Sequence, residues 1–124
     1  MTLGPNQEYW ISTLESGVHD QEKGTLFSVH TGGMCCLGVW CVERHAEEAE
    51  QFSPHHVWTW GDLCSTLPQS YAEELGLHGT QGEPRPEFKD KFQALADMND
   101  NGSTHAQIAA HLRAHPEVYF VRSA

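Results

Sequence analysis

The stretch "GGMCCLGVWC", residues 32–41, carries three of the chain's four cysteines together with Leu37, Val39 and Trp40, and not one charge. Such a run must find an interior. Gly32-Gly33 is a turn signal. From Met34 the pattern reads as a helix that becomes charged only at Glu43, so its first two turns are expected to be buried all round and its tail solvated. The thiols of the run have three possible roles. A structural zinc site asks for ligands at spacings such as C-x-x-C. Cys35 and Cys36 are adjacent and would point about 100° apart on a helix, and only Cys64 with His55 and His56 is left to complete a set. A nucleophile is conceivable, because a Gly-Gly turn before a helix start would set Cys35 or Cys36 near N-terminal amides, whose field lowers a thiol pKa. It would need a base such as His30, His45, His55 or His56, and no spacing singles one out. Packing needs nothing further. Cysteine behaves as a small hydrophobe, and Cys35, Cys36, Gly38 and Cys41 beside Leu37 and Val39 allow a helix to approach its neighbours closely. Packing is the expected role.

The rest of the chain supplies elements to cover that helix. "NQEYWISTLESG" predicts an opening helix with Trp10, Ile11, Leu14 and Val18 on one face and Gly17 as its exit. "GTLFSVHTGG" is strand-compatible through Leu26, Phe27 and Val29. "FSPHHVWTWGDLC" reads as a loop at Pro54 and then an extended piece. "TLPQSYAEELGL" predicts a short helix with Pro68 at its start and Gly76 at its end. "HGTQGEPRPE" is the expected mobile loop. "EFKDKFQALADMND" predicts an amphipathic helix with Phe88, Phe92 and Leu95 on one stripe. "NGSTHAQIAAHLRAHP" predicts a helix capped by Ser103 or Thr104, with Ile108, Ala109 and Leu112 inward and Pro116 as its stop. "EVYFVR" is expected to form a final strand. The sum is a mainly helical α+β fold with a few short strands, in one domain over residues 1–124.

Length suits one domain and not two. Four Trp, five Phe and three Tyr provide for a real core. No apolar run is long enough to cross a bilayer, and the first residues lack a basic start with an apolar stretch, so a cytoplasmic protein with reduced thiols is expected. Seven Lys and Arg against seventeen Asp and Glu give a net charge of −10. That charge disfavours direct nucleic-acid contact and anionic membrane surfaces. The plain reading of that acidity is solubility, and the sharper one is an acidic decoy that occupies a basic groove on a partner. Nine histidines would remove much of the charge near pH 6.

"HHVWTWGD" is the best candidate for a binding surface, the plain alternative being that both tryptophans are core. His56, Trp58 and Trp60 would share one strand face, with Asp62 beside them, and large rigid aromatics are good anchors. His111 and His115 stand four apart, as a metal pair can, but a solvated helix edge explains them. His105 falls inside the inward arc and is expected in or near the core. "ADMNDNGS" lacks the alternating ligands of a calcium loop and reads as a turn between helices.

Several pieces resemble a family of small, largely uncharacterised phage and bacterial proteins whose centre reads close to "CCLGVLC". They are Trp10 and Leu14 with Ser16-Gly17, then Gln21, Gly24 and Leu26. Cys35-Cys36-Leu37-Gly38-Val39 with Cys41, Leu67-Pro68 and Leu75-Gly76-Leu77 follow. Leu95, Met98-Asn99-Asp100 and Ile108-Ala109 complete the set. Trp40 and His105 depart from the pattern, which more often has apolar residues such as Leu there. The resemblance implies a phage or mobile-element origin and carries no catalytic residues, cofactor or metal ligands. The expectation is a non-enzymatic protein that binds a host protein or a small signalling molecule. The rivals are a thiol enzyme using Cys35 or Cys36 and a zinc-stabilised module.

Overall fold

Helix α1 (Pro5–Ser16) begins with a proline at its first turn, where a missing N–H costs nothing, and ends where Gly17 turns left-handed at φ 64°. Trp10, Ile11 and Leu14 are fully buried along one face. Val18 was expected there too, but it lies beyond the cap and is 68% exposed. A computed structural model describes residues 1–52 and 56–124. The expected loop at Pro54, and His55, fall outside the described residues.

Helix α1 packs along a later helix, His105–Ala114. That helix starts with a reciprocal cap. Thr104 Oγ1 accepts from the Gln107 N–H at 3.0 Å, and Gln107 Oε1 accepts from the Thr104 N–H at 2.9 Å. Ile108, Ala109 and Leu112 face inward, as the spacing predicts. On the outside, the Arg113 guanidinium spans Glu8 at 3.1 Å and Glu15 at 2.5 Å, an exposed clamp of modest worth.

Against α1 and α4 packs α2 (Cys36–His45), whose residues from Cys36 to Cys41 are all buried. Cys35 occupies its N-cap without a capping bond of its own. The cap comes from elsewhere in the chain: the Cys36 N–H donates to Asn99 Oδ1 at 3.1 Å. A 3-10 turn, Ala46–Glu48, then leads into β1 (Glu50–Phe52). This strand pairs antiparallel with β2 (Val57–Thr59), Gln51 standing opposite Trp58. The expected strand at 26–29 is reduced to an irregular third member. It contributes an isolated bridge from Ser28 to Val57, with Trp58 N–H donating to the Phe27 carbonyl at 3.1 Å.

The remaining elements are α3 (Gln69–Glu74), α4 (Leu95–Asp100), α5 (the helix His105–Ala114) and α6 (Pro116–Tyr119). Gly76, at φ 66°, takes the chain out of α3. Two expectations fail here. Residues 87–100 do not form one helix, because the N–H groups of Leu95 and Ala96 are taken by the carbonyls of Gly82 and Gln81 at 2.9 and 3.1 Å. The same bonds stitch down the loop expected to be mobile, which is further tied by Arg85 N–H to the Val118 carbonyl at 2.7 Å and buries Gly82 and Pro84. "EVYFVR" is not a strand either. Pro116 opens the short helix α6, and Val118, Tyr119 and Phe120 are all buried. A strand would have turned every second one of them outward.

The fold is thus a mainly helical α+β domain with one small ribbon, as expected from the sequence. Among the described residues no helix is long and apolar enough to cross a membrane.

Candidate functional site

Of the residues on which the family resemblance rests, Gln21, Gly24, Cys36 and Asp100 gather around Asn99, which is almost wholly buried. Its Oδ1 accepts from Gln21 Nε2 at 2.7 Å and from the Cys36 N–H, and its Nδ2 donates to the Glu22 carbonyl at 2.8 Å. Asp100 accepts from the Gly24 N–H at 2.8 Å, and Gln21 Oε1 accepts from the His105 N–H at 3.0 Å. His105 is 4% exposed, its Nε2 donates to the Met34 carbonyl at 3.1 Å, and burial holds its pKa down. Among the described residues no buried side-chain polar atom lacks a partner. This network holds α2, α4 and α5 together, and each of its groups is spent on architecture.

The cysteine run belongs to the same interior. Cys36 and Cys41 are fully buried and Cys35 is nearly so. The nucleophile alternative needed the field of the helix N-terminus to lower the thiol pKa, but burial wins. The Cys35 thiol is pushed up to about 11, against weaker help from backbone amides, and those of Cys36 and Cys41 are also pushed up. Cys35 borders a recess of about 280 Å³ with Asp97 and Asp100. No histidine among the described residues lines that recess. Cys64 is different. It is exposed and faces another space altogether.

That space is a cleft of about 560 Å³ beneath the hairpin. Glu50 and Gln51 of β1, Val57 and Thr59 of β2, Gly24 and Thr25, and Asp62 and Cys64 line it. The Leu26 N–H donates to the Cys64 carbonyl at 2.7 Å and ties the segment after Thr25 to Cys64. Asp62 is aimed by a two-residue turn. Trp60 and Leu63 exchange backbone hydrogen bonds at 2.9 and 3.0 Å, and Gly61 and Asp62 sit at φ 56° and 69°, the left-handed pattern of a type I′ hairpin turn. Aspartate tolerates that region better than most residues. Glu50 and Asp62 are the two acidic residues of a cleft whose described lining holds no basic side chain.

The four residues expected to form the binding surface are split by this geometry. Asp62 lines the cleft. Trp58 and Trp60 do share a side, their rings 6.1 Å apart, but it is the inner one. Trp60 is fully buried, and its indole N–H donates to the His45 carbonyl at 2.8 Å. Trp58 is half-buried and stacks on Phe27 with ring centroids 4.3 Å apart. Trp60 is therefore corrected from surface anchor to core, because strand alternation turns it opposite to Val57 and Thr59. His56 lies outside β2 at φ 53°, exposed, with its ring 6.2 Å from that of His30. Sequence reasoning passed over Glu50 and Thr25, and weighed Cys64 only as a zinc ligand. The available signal was Gly-Asp between Trp60 and Leu63, a two-residue turn that places its neighbours.

Among the described residues no group of three or more His, Cys, Asp or Glu side chains converges as metal ligands. His111 Nε2 donates to the Tyr119 hydroxyl at 2.8 Å, since that hydroxyl gives its own proton to the Gln93 carbonyl at 2.8 Å. His111 is thus committed to Tyr119 and not to a ligand shared with His115.

No family model, curated protein or solved structure matches this chain. Function has to be read from the site itself.

Proposed function

We propose that this chain is a small non-enzymatic binding protein of phage or mobile-element origin. In this reading it acts in the cytoplasm of the host cell and modulates a host process by holding a basic segment of a host protein in the hairpin cleft. The observation that carries the reading is that Glu50 and Asp62 both line a cleft with no described basic side chain. Two acidic residues in one cleft suit an ammonium or guanidinium group, and Val57 offers apolar surface for its methylene stem. The volume falls in the range of about 300–1,000 Å³ usual for ligand sites. The net charge of −10 would steer a basic partner from a distance. The origin rests on the sequence resemblance. The rival thiol enzyme is disfavoured by the burial of Cys35 and Cys36, which pushes both thiol pKa values up.

The test is titration of a lysine- and arginine-rich peptide against the protein and against a Glu50→Gln, Asp62→Asn double variant. Asparagine keeps the left-handed turn open to residue 62. Affinity is expected to fall about tenfold or more in the variant, with an unchanged melting temperature, and to weaken with salt. Equal binding by the variant, or by an acidic control peptide, would count against the cleft. Competition by a small free amine at comparable affinity would point to a small-molecule ligand instead of a protein segment.

A further inference from the structure

We propose that the basic partner segment binds as an added β-strand along the outer edge of β1, an inference that rests on reading the cleft as the site for such a segment. The ladder sets which groups of β1 are free. On its far side β2 meets the 26–29 segment. There the Trp58 N–H donates to the Phe27 carbonyl at 3.1 Å, and the Val29 N–H donates to the His56 carbonyl at 2.8 Å. A strand residue sends its N–H and C=O to the same edge, and the next residue sends them to the opposite edge. The main-chain groups of Val57 and Thr59 therefore point at β1, and those of Trp58 point away from it. The ladder bonds fall to the pairs Glu50–Thr59 and Phe52–Val57, and Gln51 opposite Trp58 is the non-bonded pair. The N–H and C=O of Gln51 thus point outward from β2, and neither has a partner among the described residues. Gln51 is exposed and lines the cleft.

An unpaired strand edge is a template for another chain. Extended peptides add to such edges through main-chain hydrogen bonds, and their alternate side chains supply specificity. In an antiparallel addition, the residue opposite Gln51 exchanges both bonds with it. Its two neighbours then stand opposite Glu50 and Phe52. Directly opposite residues share a face of the sheet, so these neighbours lie on the face that carries Glu50, Val57 and Thr59. All three of those residues line the cleft. A lysine or arginine opposite Glu50 is within cross-strand reach of its carboxylate, and Asp62 lines the same cleft. The next residue on that face comes two positions along the segment. The pattern recognised is an extended stretch with a basic residue at every second position.

Charge selects the occupant. Exposed edges are commonly blunted by lysine or proline, and β1 has neither, its one charged residue being acidic Glu50. A second copy of the chain would bring another net charge of −10 to the same edge, and the two copies would repel. A basic segment meets attraction at both scales, from the whole surface during approach and from Glu50 at the edge itself.

The probe is a peptide of alternating lysine and threonine, with a twin N-methylated at every threonine. The twin keeps the sequence and the charge and loses the donors of one edge. The parent peptide is expected to slow hydrogen exchange at the Gln51 amide and to shift its nuclear magnetic resonance signal. The twin is expected to bind about tenfold more weakly, the order that one or two ordinary hydrogen bonds carry. Gln51→Pro removes the outward N–H at an edge position, where proline is tolerated. It should keep the melting temperature and lose about tenfold in affinity for the parent peptide. If that variant melts early, the twin peptide on wild-type protein decides the matter. Equal binding of both peptides with no protection of Gln51, while the Glu50→Gln, Asp62→Asn double variant still weakens both, would overturn strand addition and leave the cleft reading standing. Equal protection of Gln51 by an uncharged serine-threonine peptide would overturn the basic occupant. Protection of Gln51 that grows with protein concentration alone would overturn it in favour of a second copy. Binding of neither peptide would overturn strand addition and the cleft reading together.

Discussion

A Cβ built on Gly38 would lie 1.8 Å from the carbonyl oxygen of Leu26. The glycine at the centre of the cysteine run is there because α2 crosses the 26–29 segment backbone to backbone. The obstacle is main chain, not the movable tip of a side chain, so a methyl group must push the helix off its neighbour. Gly38→Ala is expected to destabilise by about 3 kcal/mol, the upper end of ordinary overpacking. Urea denaturation of wild type and variant checks it, and a change below a few tenths of that size would contradict the close approach.

The two hairpin tryptophans should separate in the same assay. Trp60 is fully buried with its N–H bonded, so Trp60→Ala should cost about 3–5 kcal/mol. Trp58 is half-buried against Phe27, so Trp58→Ala should cost about 1–2 kcal/mol. Equal losses would mean that the two rings share one environment.

Acid should weaken the fold before its carboxylates titrate. Burial holds the His105 pKa below the ordinary histidine value of 6.5. As pH falls, the unfolded chain therefore takes up this proton first. The stability tied to His105 is fully present above the unfolded value and is lost as pH falls through the lower folded value. His111 is shifted the same way, by burial first and then by His115. The urea midpoint is expected to drop between about pH 7 and about pH 5, and His105→Leu should flatten that drop. An identical slope in the variant would remove His105 from the cause.

What the sequence made legible was whatever depends on local periodicity. The inward stripes Trp10-Ile11-Leu14 and Ile108-Ala109-Leu112, the exit at Gly17 and the cap at Thr104 follow from spacing and short-range hydrogen bonds. The burial of Cys36 to Cys41 followed from the absence of charge. The misread segments are governed by distant partners. Leu95 cannot extend a helix backward because Gly82 holds its N–H, and Val118 to Phe120 read as a strand by residue type yet serve as a buried turn after Pro116. The cleft was half visible. Asp62 was singled out, but strand alternation was assigned with the tryptophans outward, and the face carrying Val57 and Thr59 was left unread.

Thiol alkylation resolved residue by residue tests most directly that the cysteine run is architecture and that the accessible thiol lies in the cleft. Native protein treated with iodoacetamide at neutral pH should carry label on Cys64 first, because it alone is exposed. Cys35, Cys36 and Cys41 should react only as fast as the chain opens, and an oligolysine peptide should slow the reaction of Cys64. Rapid labelling of Cys35 or Cys36 in the folded protein, ahead of Cys64, would contradict this and restore the thiol enzyme as the leading reading.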